Sequence, residues 1–143
     1  SRTSIFDYVG VPHHQRWMNG GKFDGGQLKP EEKELRDFYK RLLNFTITSE
    51  ALMGDFIQIH DANLEAGLGY DFGLYSYVRW NEKEKLVIVT NFNQNTPVTC
   101  EVIIPAAVIK QMNLKDGSYQ LKDQLYGKNT TPLKIVNGVG KFA

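Results

Sequence analysis

The chain has a single cysteine, Cys100, so no disulfide can form within it. That leaves the compartment open, because secreted bacterial proteins also do without disulfides; a bacterial periplasmic or extracellular setting is only slightly favoured over a cytoplasmic one. Long hydrophobic runs are lacking as well. The apolar run Leu86 to Val89 is far short of the roughly 20 residues that a membrane-spanning helix needs, so no membrane partner is expected. No leader of the secretory type is visible, which in itself says little. Charge of one sign is missing too: 17 basic side chains face 16 acidic ones, for a net charge of +1. Nucleic-acid binding draws on clustered Lys and Arg, and the densest charged stretch, Glu31 to Arg41, mixes both signs. Nucleic acid is therefore set aside.

What is present is globular. Over 143 residues, 41% are hydrophobic and 23% charged, which suits one domain or a small domain with an appendage. Residues 1 to 28 show no clean period. They read as a long irregular loop with apolar anchors at Ile5, Phe6, Tyr8, Val9, Val11, Trp17 and Phe23. Pro30 to Leu43 predicts the clearest helix. Pro30 suits its first position, Glu31 and Glu32 lie near the positive end of its dipole, and Lys40 and Arg41 near the negative end. Leu35, Phe38, Tyr39, Leu42 and Leu43 fall on one stripe that needs a partner surface, and Asn44 is a plausible stop.

From Thr46 onward the period becomes that of strands. Asp55 to Asp61 alternates, and so does Leu74 to Trp80. Lys85 to Phe92 reads as a strand buried on both faces, and Val98 to Ile104 as another. Pro105 to Met112 fits a short helix or a turn. Asp116-Gly117 and Asn137-Gly138 are hairpin-type turn signals that flank strands near Ser118 to Leu121 and Leu133 to Val136. The fold expected is mainly β: an antiparallel β-sandwich of Greek-key type, preceded by an irregular loop and one amphipathic α-helix. The boundary expected lies between residues 1–45 and 46–143.

Several of these segments resemble the alpha-amylase family of glycoside hydrolases. Ser4-Ile5-Phe6-Asp7-Tyr8, the run from Gln15-Arg16-Trp17 to Gly26, and Phe38-Tyr39-Lys40-Arg41-Leu42-Leu43 are similar to the segment that follows the eighth barrel strand in that family. Ala51-Leu52-Met53-Gly54-Asp55-Phe56 looks like the start of its all-β C-terminal domain. Tyr75-Ser76-Tyr77-Val78-Arg79 and Leu86 to Asn93 are similar to that domain's central strands. The resemblance implies a catalytic barrel followed by a β-sandwich, with an aspartate nucleophile, a glutamate acid and a second aspartate on barrel strands upstream of Ser1. No carboxylate here matches them, so no catalytic residue is carried over, and whether this chain is itself an enzyme is left open. What the resemblance implies is the last barrel loop and helix (residues 1–45) followed by the sandwich (46–143). The partner implied is an α-glucan or oligosaccharide held through the parent enzyme; with no barrel present, a homodimer through the N-terminal segment is a further possibility.

Among the residues themselves, retaining glycosidases need two carboxyls about 5–5.5 Å apart. Asp55 and Asp61, read as one strand, would be roughly 20 Å apart. Asp7 and Asp24 read as turn and capping residues. His13-His14 suggests a metal pair, but adjacent side chains diverge, and no metal or cofactor is expected. His60 is read as a strand residue and Cys100 as a buried structural thiol. The candidates for sugar contact are Tyr8 and Trp17 in the loop and Tyr70 in the glycine-rich stretch Gly67 to Gly73, with packing as the alternative for Tyr8 and Trp17. That glycine-rich stretch lacks the Lys-Ser/Thr ending of a phosphate loop. A stand-alone glycan-binding module would instead use a coplanar pair such as Tyr75 and Tyr77.

Overall fold

The computed structural model describes residues 10–127 and 129–143. The chain divides into two compact units, Ser1–Asn44 and Phe45–Ala143. In the first, residues read as loop contain a helix, α1 (Pro12–Met18), with proline at its start and Asn19 closing it in the left-handed conformation. The repeat of apolar residues is too short there to show a period. Helix α2 (Pro30–Thr48) begins where expected and runs through the division. Glu32, one turn in, reaches back to accept the Lys29 N–H at 2.9 Å, which satisfies one of the donors that every helix start leaves open. Arg16 and His13 of α1 bond the same carboxylate, and the Arg16 hydrogen bond holds Glu32 far below the usual carboxylate range.

Asn44 does not stop α2. Its side-chain amide donates to Lys40 O at 2.8 Å, and no Gly or Pro follows before Thr48. The β-branched residues Thr46, Ile47 and Thr48 cost a helix only tenths of a kcal/mol each. The apolar stripe is correspondingly longer. Leu35, Tyr39, Leu43 and Ile47 form an exposed ridge at a spacing of four, with Ile47 81% exposed, while Phe38 and Leu42 are half-buried.

The second unit holds two antiparallel sheets with short helical segments between their strands. The first sheet has the order β1-β2-β3, from Asp55–Gln58, Leu74–Trp80 and Lys85–Asn91. The second has the order β4-β7-β6-β5, from Val102–Ile104, Val139–Phe142, Thr130–Val136 and Gly117–Lys122. Both sheets contribute to one buried cluster. Leu74, Val78 and Trp80 come from β2, Val102 and Ile104 from β4, and Leu133 and Ile135 from β6, joined by Val108, Ile109 and Met112. The alternation of β2 is complete: every second residue from Leu74 to Trp80 is buried.

Four expectations change here. Asp55 to Asp61 is not one strand: β1 ends at Gln58 and helix α3 (His60–Ala66) follows. The cause is Gln58, whose side-chain carbonyl accepts the N–H groups of His60 and Asp61 at 2.7 and 3.2 Å and so caps the new helix. Strand β3 is not buried on both faces. Among the described residues it pairs with β2 alone, and it is half-buried, as an edge strand is. The strand expected over Val98–Ile104 shrinks to Val102–Ile104, because residues before it run beside the 67–70 loop, where Glu101 N–H donates to Leu68 O at 3.0 Å. Gly69 permits this approach: its φ is +82°, and a Cβ there would sit 2.6 Å from Thr99 O. Finally, Asp116-Gly117 is no hairpin. Helix α4 (Ala106–Gln111) ends with Asn113 left-handed and Leu114 N–H donating to Ile109 O at 3.1 Å, a Schellman ending. The Asp116 carboxylate instead accepts from Asn137 N and Gly138 N at 2.9 and 2.8 Å. Asn137 and Gly138, with φ of 52° and 77°, do make the tight β6–β7 turn, in the positive-φ pairing that favours Asn-Gly.

Asn63 of α3, 1% exposed, ties the sheets together. Its amide donates to Ile59 O at 2.7 Å and Ile103 O at 2.9 Å, and its carbonyl accepts Ile103 N–H at 2.7 Å. Replacing Asn63 by Ala leaves the main-chain groups of Ile103 unpaired, which should cost about 3 kcal/mol; urea unfolding measures it, and a loss below about 1 kcal/mol would contradict this role. Glu84, in the β2–β3 turn, accepts Ala51 N–H at 2.9 Å and the Ser49 hydroxyl at 2.7 Å. The Ala51 bond, then the Ser49 bond, lowers its pKa. A carboxylate depressed in the folded state contributes stability above its unfolded pKa and loses it as pH falls through the folded value. Glu84→Gln should therefore lose about 1 kcal/mol near neutrality and show a flatter stability profile below about pH 4.5; parallel acid profiles for the two proteins would refute this.

Candidate functional site

A row of aromatic rings lies on the outward face of the first sheet. Alternation along β2 sends Leu74, Ser76, Val78 and Trp80 into the core and Tyr75, Tyr77 and Arg79 outward. Pairing of β1 with β2 sets Phe56 opposite Arg79 and Gln58 opposite Tyr77, so Phe56 is the diagonal neighbour of Tyr77, within reach for large rings. Their centroids are 5.4 Å apart. Tyr77 and Tyr75 follow at 5.9 Å, and Tyr75 and His60 at 5.4 Å. Phe56 is 50% and Tyr75 36% exposed. The planes tilt by 46°, 43° and 38° at these three steps. Tyr75 and Tyr77 are therefore neighbours but not the coplanar pair expected.

His60 is held from below. Its Nδ1 lies 3.1 Å from Tyr70 Oη, and Tyr70 donates to Ser76 Oγ at 2.9 Å. Burial, opposed by the Ser76 bond, raises the Tyr70 pKa. Tyr70 was expected as a sugar-contacting ring in an open loop. At 6% exposure it is a core residue, carried inward because the loop turns back at Gly69 to meet Thr99 and Cys100.

The other candidates separate. Tyr8 and Asp7 fall outside the described residues. Trp17 is half-buried; it packs on Phe23 at 5.8 Å, and the Arg36 guanidinium lies 5.8 Å from its ring. Asp24 caps its own loop through Gly26 N–H and the Asn19 amide, and the Asn19 bond foremost lowers its pKa. His13 is engaged with Glu32 at 2.5 Å. Cys100 is half-buried, and burial raises its thiol pKa. Asp61 lies in α3 and accepts from Gln58 at 2.6 Å. Among the described residues no three His, Cys, Asp or Glu side chains converge to hold a metal ion, and no helix is long and apolar enough to cross a membrane. A cleft of about 740 Å³ has Asp55, Glu82 and Lys85 on its wall, with no histidine, cysteine or hydroxyl residue lining it.

Phe56 and His60 escape a reading of the sequence. Each belongs to the row only through strand register or a helix start, neither of which is visible in local periodicity. No protein-family model, no curated protein and no solved structure matches this chain.

The Tyr70 hydroxyl yields a pH prediction. A tyrosine whose pKa is raised by folding contributes stability below its unfolded value, near pH 10, and that stability is lost as pH rises through the folded value. Tyr70→Phe should cost about 1 kcal/mol at pH 7 and flatten the fall in stability above pH ~10. Urea titrations at rising pH read both effects; an unchanged alkaline slope would show that Tyr70 titrates normally.

Proposed function

We propose that this chain is a non-catalytic C-terminal portion of an alpha-amylase-like glycoside hydrolase acting on α-glucans, which steadies the catalytic barrel and supplies a loop near its cleft. The observation that carries this reading is the α2 ridge. Leu35, Tyr39 and Ile47 are exposed on it, and the second unit has a buried core of its own. An apolar helix face of this kind favours a partner surface, and a barrel wall is the surface on which the last helix of such an enzyme rests. The succession of parts agrees with the reading. The segment Ala51 to Phe56 leads into β1, Tyr75 to Arg79 lies in β2, and Leu86 to Asn91 lies in β3. The finer fold belongs to the same proposal: in the order β4-β7-β6-β5, β4 lies beside β7 after a long α4 connection to β5, which supports a Greek-key sandwich.

Two measurements test it together. Soluble starch incubated with this chain should release no reducing ends above background, and sustained turnover would overturn the non-catalytic reading. Sequencing the coding region upstream of Ser1 should reveal strand-borne Asp, Glu and Asp motifs of a barrel; an upstream region without them would end the family assignment.

A further inference from the structure

We propose that the free edge of β3 pairs with β3 of a second copy of this chain, antiparallel about a two-fold axis at Ile88, so that the two first sheets join into one. The interface lies in the second unit alone and stands whether or not a barrel precedes it.

Among the described residues four strands form sheet edges, β1, β3, β4 and β5, and all but β3 are guarded. Strand β4 is bonded along its outer side by Asn63 and Leu68. Strand β1 has four residues and gives way to α3. Strand β5 presents Ser118, Gln120 and Lys122 on its exposed face. Strand β3 lacks the usual protections of an edge. It pairs with β2 from Lys85 to Asn91 without a bulge, contains no proline, and carries one charge, Lys85, at its end. Phe92 N–H donates to Gly73 O at 2.7 Å and Asn81 N–H to Glu84 O at 3.0 Å, which sets the phase of the ladder. Leu86, Ile88 and Thr90 turn their main-chain groups to β2, while Lys85, Val87, Val89 and Asn91 turn theirs to the open side. The core runs out at the same place. Val89 lies opposite Ser76 on the inner face, yet it is 40% exposed where Ser76 is fully buried.

The sequence of the edge selects a second copy as the strand that covers it. An isologous contact must be self-complementary. Centred on Ile88, antiparallel pairing sets Ile88 against itself, Leu86 against Thr90, Val87 against Val89 and Lys85 against Asn91. Each main-chain group on the open side then finds a partner, in about eight hydrogen bonds. The side-chain pairs are aliphatic or β-branched in the middle of the contact, and the exposed Val89 is covered by the partner's Val87. The two Lys85 ammonium groups stand at opposite ends, roughly 20 Å apart. Moving the centre to Val87 would set Lys85 against Val89, and moving it to Val89 would leave Lys85 beyond the end of the partner's strand.

Sedimentation of the full chain at micromolar to millimolar concentration should show a monomer–dimer equilibrium. Val89→Pro removes an N–H that faces the open side and leaves the bonds to β2 in place, so it should weaken dimerisation tenfold or more. Val89→Lys should do the same by setting a charge against an apolar mate, at a position exposed enough for the fold to survive, and serves if the proline variant does not fold. In a Cys100→Ser background treated with copper–phenanthroline, Ile88→Cys should form a disulfide-linked dimer, because Ile88 meets itself in a close, non-hydrogen-bonded pair. Thr90→Cys should not link to itself but should link to Leu86→Cys in a mixture of the two. A monomer at every concentration, a dimer that neither Val89 variant weakens, or Thr90→Cys linking to itself more readily than Ile88→Cys would each overturn the proposal.

Discussion

The second unit depends on how the exposed edge of one short strand is paired. Strand β4 has three residues and, among the described residues, one strand neighbour, β7. Its other edge would present unpaired main-chain groups, which are costly where water is excluded. Asn63 supplies the missing neighbour. A carboxamide carries the same donor and acceptor as a peptide unit, and here it exchanges both bonds with Ile103 as an adjoining strand would. Leu68 adds a true main-chain bond to Glu101 one step along. Because Asn63 sits on α3, directly after β1, these bonds draw the end of the first sheet's edge strand to the edge of the second sheet. The shared hydrophobic cluster then closes between them.

That closure explains where the rings go. Once α3 is fixed by Asn63, its first residue, His60, is fixed too. Tyr70, on the loop that returns from α3, passes under His60 and reaches Ser76 on the inner face of β2. Two buried polar side chains in an apolar core would ordinarily be unfavourable. Here each satisfies the other, and the remaining bond of Tyr70 reaches outward to His60. The row on the outer face thus takes its geometry from hydrogen bonds on the inner one.

How much of this could be read from the sequence follows from the range of the interactions involved. The strands β2, β5 and β6 and the Asn137-Gly138 turn were legible, because alternation and left-handed turn residues act over a few positions. The start of α2 was legible for the same reason. Its end was not, because Asn44 satisfies Lys40 O instead of capping, a choice between two equally local bonds. Helix α3 was hidden because Asp55 to Asp61 alternates in polarity while Gln58 caps a helix inside it. Around Tyr70, glycine-rich neighbours suggest a loop in the open, whereas Gly69 allows a close crossing with Thr99. Phe56 became a candidate only when the register with β2 placed it beside Tyr77. In each missed case the deciding partner lies far along the chain or competes at short range with an equally good alternative.

The constraint on β2 is stricter than on any other strand. Its inner residues, Leu74, Ser76, Val78 and Trp80, are all buried, and its outer ones carry the middle of the ring row. Strand side chains alternate with a period of two, so a slip of one residue would exchange the two sets. It would bring Tyr75, Tyr77 and Arg79 into the cluster and leave Val78 and Trp80 in water. The loss of burial alone, about 1.5–3 kcal/mol for each large apolar side chain, makes that register untenable. The spacing of Tyr75 and Tyr77 is therefore fixed by the core and not by any contact between the rings. Substitutions among the outer residues can alter the character of the face without altering where it stands, because the fold beneath it is held by the inner set alone.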